Sequence, residues 1–99
     1  MQITETREND VITLLIEGRV DSNTSPQLQD AILMNFQQVN QIVLDFAECT
    51  YVSSAGLRAL LMGQKTASSK KGTMKLIHVP EILMNVLKMS GFVNILTIE

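Results

Sequence analysis

Apolar and polar positions along the chain fall into short, bounded runs that switch between a period of two and a period near 3.6. "ITETRE" (3–8) alternates weakly between apolar or threonine residues and polar ones, which predicts an edge strand. "VITLLIEGRV" (11–20) is a near-continuous apolar run rich in β-branched residues, which predicts a buried strand. Asn9-Asp10 lies between them as a turn, so the two pair most simply as a hairpin. In "DSNTSPQLQD" (21–30) the period changes. Thr24 with Gln27 fits a capping box, or Ser25 caps with Pro26 at the first helical position. Leu28, Ala31, Ile32 and Phe36 follow as one helical stripe that would cover one face of a sheet.

The second half repeats the scheme. "QIVLDF" (41–46) reads as another buried strand, and Leu57, Leu60 and Leu61 start a helical face that continues to Ala67. Lys70 and Lys71 would sit in that helix's last turn, with Gly72 in a left-handed closing position. "TMKLIHV" (73–79) is a further strand, and Pro80 opens a third helix with Ile82, Val86 and Met89 as its inward stripe. Ser90-Gly91 ends that helix, and "NILTI" (94–98) is a last short strand or an extended tail. The order β-β-α-β-α-β-α-β predicts an α/β fold with a small mixed, mostly parallel sheet of four or five strands. In such sheets partners and ligands gather at the carboxyl ends of the strands.

Composition narrows the function. Ninety-nine residues, 45% of them hydrophobic, support one domain spanning 1–99 with one core. A net charge of -2 and a pI near 5.3 lack the basic field that direct nucleic-acid binding needs. One cysteine allows no internal disulfide, no apolar run approaches the roughly 20 residues of a membrane span, and the N-terminus is no secretory signal. A cytoplasmic, soluble protein is the expectation.

The distinctive stretch is "DFAECTYVSSAGLRAL" (45–60), where a strand breaks at two serines and a helix begins. Ser53 or Ser54 can cap that helix through its side-chain oxygen. The same exposed N–H groups and dipole would stabilise a phosphate on a serine there, and Ala55 and Gly56 leave room for a modifying enzyme. Capping and modification are compatible.

"VLDFAECTYVSSAGLRALL" resembles the signature of STAS domains, specifically bacterial anti-sigma factor antagonists. "IEGRVDSNTSPQLQDAI" is similar to the family's second strand and first helix, and "MKLIHVPEILMNVLKMSGFVNIL" to its closing strand-helix-strand. The resemblance implies that the serine two positions before the glycine, Ser54, is phosphorylated, with Ser53 as second choice. It further implies that the kinase is the partner itself, an anti-sigma factor of the histidine-kinase-like ATPase fold, and that a serine phosphatase reverses the modification. Unmodified, the domain would dock on the kinase and free its sigma factor, regulating transcription indirectly. Ser53 stands where well-studied members carry aspartate, and Ala55 where they often carry a second serine. A non-phosphorylated adaptor subunit of a transporter or signalling scaffold is the alternative.

Other residues have two readings each. Asp21 resembles the family's acidic residue near the phosphorylation loop, and is equally a turn aspartate bonded to its own backbone. Asp45 reads as a loop-bracing acceptor in preference to a partner contact. Arg58 lies in the helix's first turn, against the dipole preference, as a partner contact or a solvated side chain. Met62, Met84 and Met89 read as core fillers, Cys49 as a small buried hydrophobe, and His78 as structural without an evident acidic neighbour. "SSAGL" lacks the glycine that a nucleophile elbow carries two residues before its serine, and no nucleotide motif occurs. A small serine hydrolase is therefore a remote alternative; no enzyme activity, cofactor or metal is expected. The partner-binding set is Asp21, Ser53, Ser54, Ala55, Gly56 and Arg58.

Overall fold

The computed structural model describes residues 1–99. In chain order the elements are β1 (Gln2–Glu8), β2 (Val11–Val20), α1 (Ser25–Phe36), β3 (Gln41–Asp45), β4 (Cys49–Val52), α2 (Ser54–Ser69), β5 (Thr73–Ile77), α3 (Glu81–Ser90), a 3-10 turn (Phe92–Asn94) and β6 (Thr97–Ile98). The sheet has six strands, one or two more than expected. The added one is β4, whose four residues alternate too briefly for a periodic signal, Thr50 and Tyr51 being exposed.

β1 and β2 form the expected antiparallel hairpin, in register from Gln2 opposite Glu17 to Glu8 opposite Val11. Asn9 turns it with φ 58, a left-handed conformation that asparagine tolerates. The other pairs are parallel, giving the order β1-β2-β3-β5-β6, with β4 paired to β2 alone. Along β2 the partner changes. Residues 11–15 pair with β3, and Gly18–Val20 pair with β4 across a bulge at Gly18 and Arg19. Gly18 has φ +95, which suits a glycine at a bulge.

β2 is not buried on both sides. Ile12, Leu14 and Ile16 are buried under the helices, whereas Val11, Thr13 and Leu15 are only half-buried on the opposite face. α1 and α2 pack against each other and against β2, β3 and β5. Leu28, Ile32 and Phe36 enter the core as the spacing predicts, with Ala31 packed against it. Gly63 of α2 lies so close to α1 and β5 that an added Cβ would stand 2.8 Å from Met74 Sδ and 3.0 Å from Ile32 Cγ2.

Three helix details differ from expectation. Neither a capping box nor a Ser25 cap starts α1: Thr24 is the N-cap residue but makes no side-chain cap bond, because its hydroxyl accepts from the Asp21 amide (2.9 Å) and donates to the Arg19 carbonyl (2.9 Å). α2 ends through Lys71, which takes the left-handed conformation (φ 60), while Gly72 is needed because a Cβ there would run into the Asn40 carbonyl. On α3 the inward stripe is Leu83 and Leu87, at 7% and 0% exposure; Ile82, Val86 and Met89 face out at 81%, 36% and 88%. Both phases satisfy helical spacing, so periodicity alone does not choose between them. Met62 is likewise partly exposed and not a core filler.

Lys70 caps a helix other than its own. Its ammonium donates to the carbonyls of Phe36, the last residue of α1, and of Val39 in the turn that follows (2.8 Å for Val39), and lies 5.5 Å from the Phe36 ring centroid. Lys70→Met should cost about 1–3 kcal/mol, the range for leaving buried acceptors unpartnered. Urea unfolding checks this, and an unchanged midpoint would show that water replaces the ammonium freely.

Candidate functional site

The site forms where β2 and β4 end side by side. Val20 is the register partner of Val52, and the Ser53 amide donates to the Val20 carbonyl at 2.8 Å, so Asp21 and Ser53 leave adjacent strand ends. Ser53 is extended (φ -84, ψ 176) and is the N-cap of α2. Its Oγ accepts from the Gly56 amide at 3.3 Å, and its carbonyl accepts from Leu57. Ser54 is the first helical residue, exposed, with its hydroxyl in no hydrogen bond. Of the two serines that the sequence leaves as candidate caps, Ser53 is therefore the cap.

Stability separates the two hydroxyls. Ser53→Ala should cost about 0.5–2 kcal/mol through the lost cap, and Ser54→Ala much less. Thermal unfolding of the pair checks the assignment; equal losses would contradict it.

Gly56 is buried, and a Cβ on it would meet Val52 Cγ1 at 2.7 Å and Val20 Cγ1 at 2.9 Å. This contact seats the start of α2 on both strand ends. Ala55 is half-buried beside it. Arg58 is exposed one turn beyond Ser54, on the same helix face, and no acidic residue occupies the first turn.

Asp21 braces its own turn. Its Oδ1 accepts from the Asn23 amide (3.0 Å) and the Thr24 amide (3.2 Å), and Arg19 Nε lies 3.9 Å from Oδ2. The Asn23 hydrogen bond above all, with Thr24 and Arg19 adding and desolvation opposing, holds the carboxyl below its ordinary value. A depressed carboxylate favours the fold above its unfolded pKa and loses that contribution as pH falls through the folded one, so this turn weakens only in acid.

Asp45 also braces a loop. Its Oδ1 accepts from the Ala47 amide (3.0 Å) and lies 3.0 Å from His78 Nδ1, supplying the acidic neighbour to histidine that the sequence did not reveal. His78 follows β5 in a left-handed conformation (φ 53). Ser53 Oγ is engaged by the Gly56 amide and His78 Nδ1 by Asp45, and neither Ser53 nor Ser54 is hydrogen-bonded to the histidine. Cys49 is buried, and desolvation raises its thiol pKa, which opposes a reactive thiolate.

Sequence reasoning missed two features beside the serines. Arg19 stacks over the exposed Tyr51 ring at 4.3 Å from its centroid. An apolar cleft of about 140 Å³ runs between β4 and α3, lined by Cys49, Tyr51, Val52, Pro80, Leu83 and Val86 among others. The available signal was the double apolar phase of "EILMNVLKMS": a helix with two apolar stripes buries one and presents the other.

Comparison with known proteins matches this architecture. BtrV of Bordetella bronchiseptica, whose name places it among anti-sigma factor antagonists, is 27% identical over 96 residues, covering 96% of this chain and 83% of that protein. The crystal structure of Thermotoga maritima tm1081 superposes with a TM-score of 0.90 at 18% identity, over 97% of this chain and 84% of that one. Bacillus SpoIIAA in its phosphorylated form superposes at 0.78 and 17% identity, over 99% and 91%. The family profile described as "Mlab, STAS domain" matches residues 2–97, and the chain belongs to the STAS domain family.

Proposed function

We propose that this chain is an anti-sigma factor antagonist that works as a phosphorylation-controlled partner switch. The observation that carries the reading is the division of labour at the start of α2: Ser53 is engaged as the cap, while Ser54 offers a free, exposed hydroxyl at a helix N-terminus. That position favours a phosphate through its unpaired N–H groups and dipole. The names of BtrV and of the SpoIIAA structures support the reading by similarity. In it, the unmodified domain docks on an anti-sigma serine kinase of the histidine-kinase-like ATPase fold and frees the sigma factor. Phosphorylation of Ser54 releases the complex, and a serine phosphatase restores it. The chain is a kinase substrate in the cytoplasm and not itself an enzyme, and Asp21, Arg58 and the serine loop form its docking surface.

The reading predicts a phosphoryl group on Ser54 whose occupancy changes with stress. Peptide mass spectrometry on protein isolated from native cells tests it. A group on Ser53 would move the switch to the capping residue, and an unmodified chain under every condition would replace the switch by a constitutive adaptor.

A further inference from the structure

β4 is an edge strand beside an apolar cleft. It pairs only with β2, and the bond from the Ser53 amide to the Val20 carbonyl fixes which of its groups face inward. By the alternation of a parallel ladder, the amide and carbonyl of Val52 then point away from β2, and Val52 lines a cleft together with Pro80 and Leu83 at the start of α3. No strand, turn or cap bond occupies them there. The cleft is mostly apolar; Tyr51, Ile82 and Val86 of its lining are exposed, as is Met89 further along α3. Its volume of about 140 Å³ falls below the roughly 300–1,000 Å³ of sites for drug-sized molecules. Apolar side chains of a protein segment fit it better.

Charge bears on the occupant. β4 and the cleft lining carry no charged side chain. At the end where β4 runs into α2, the exposed Arg58 has no acidic partner, and the first turn of α2 has no acidic residue. The complement is an extended apolar segment with a carboxylate at that end. An open strand edge beside a groove is the arrangement that peptides use when they add a strand to a sheet, main-chain bonds providing affinity and alternate side chains specificity.

We propose that the cleft between β4 and α3 receives an extended apolar segment of the partner, which pairs with the free edge of β4 and sets an acidic side chain against Arg58 and the start of α2. This deepens the docking reading above and rests on it. It also gives phosphorylation a direct effect: a phosphate on Ser54 would compete with the segment's carboxylate for the same N–H groups and guanidinium.

The test uses peptides and so does not require the kinase. Two acetylated, amidated heptapeptides alternating isoleucine with threonine, one beginning and one ending in aspartate to allow either strand direction, are titrated into the ¹⁵N-labelled full chain. Saturable binding by one of them, with new exchange protection at the Val52 amide and at least a tenfold (~10-fold, about 1.4 kcal/mol) loss in Val86→Glu and in Ser54→Asp, is expected. Ile82→Asp, at a site 81% exposed, repeats the test where folding is not at stake. No binding by either peptide up to millimolar concentration (about 4 kcal/mol) overturns the proposal, as does binding that leaves Val52 unprotected or is insensitive to all three variants. A dimer in analytical ultracentrifugation that Val86→Glu dissolves overturns it in favour of a second copy. Mass spectrometry of Ser54 is independent of these outcomes, so the proposal can fail while the switch stands.

Discussion

Under the proposed partner switch, Ser54→Asp should weaken binding to an anti-sigma kinase by about 2–5 kcal/mol, the range for an uncompensated charge in a docked surface. The same substitution should leave the free domain as stable as the parent or more so. α2 has no acidic residue in its first turn, and a carboxylate near a helix N-terminus contributes about 0.3–1 kcal/mol. The opposite signs make the experiment informative, because lost binding cannot then be ascribed to damaged folding. Calorimetric titration against the kinase, paired with thermal unfolding of the free chain, reads both. Undiminished affinity would remove Ser54 from the interface, whatever its modification state.

Gly56→Ala is expected to damage stability and docking together. The new methyl would lie 2.7 Å from Val52 Cγ1, 2.9 Å from Val20 Cγ1 and 3.2 Å from the Val20 carbonyl. Alanine gains roughly 0.5–1 kcal/mol over glycine within a helix, but forced overpacking costs about 1–3 kcal/mol. The clash wins because it is made on two strand ends at once. Relief requires α2 to move off β2 and β4, which displaces Ser53 and Ser54 with it. Val20→Ala should recover part of the loss, and a double-mutant cycle in urea measures that coupling. Strict additivity of the two changes would mean that α2 has some other seat.

Elements with strong periodicity could be read from the sequence, and those whose form depends on a neighbour could not. β2 and the stripe of α1 stand out because ten and twelve residues carry their patterns. β4 has four residues, and only its pairing with β2 past the Gly18 bulge makes it a strand. α3 carries two apolar stripes, and the choice of Leu83 and Leu87 belongs to the core that receives them. Gly72 looked like a helix stop because glycine often is one; the nearby Asn40 carbonyl, 32 positions earlier in the chain, is the actual reason for it. At the site, the serine pair and Asp21 were visible as residues. That Ser53 and not Ser54 takes the cap, that Asp21 spends its oxygen on Asn23 and Thr24, and that Asp45 meets His78 are all contacts made by folding. The docking reading predicts that Asp21 and Arg58 touch the partner.

The change of partner along β2 divides the molecule mechanically. Residues 11–15 are held by β1 on one side and β3 on the other, whereas Gly18–Val20 are held by β4 alone. Opening the β4 ladder therefore breaks few bonds and leaves the pairing of β1, β2, β3 and β5 intact. In native-state hydrogen exchange the Ser53 amide should report a sub-global opening, while Ile42 and Leu44 exchange only with complete unfolding. The serine-bearing end would then be the first part of the domain to breathe, and a modifying enzyme could draw Ser54 into an extended conformation without melting the body that carries it.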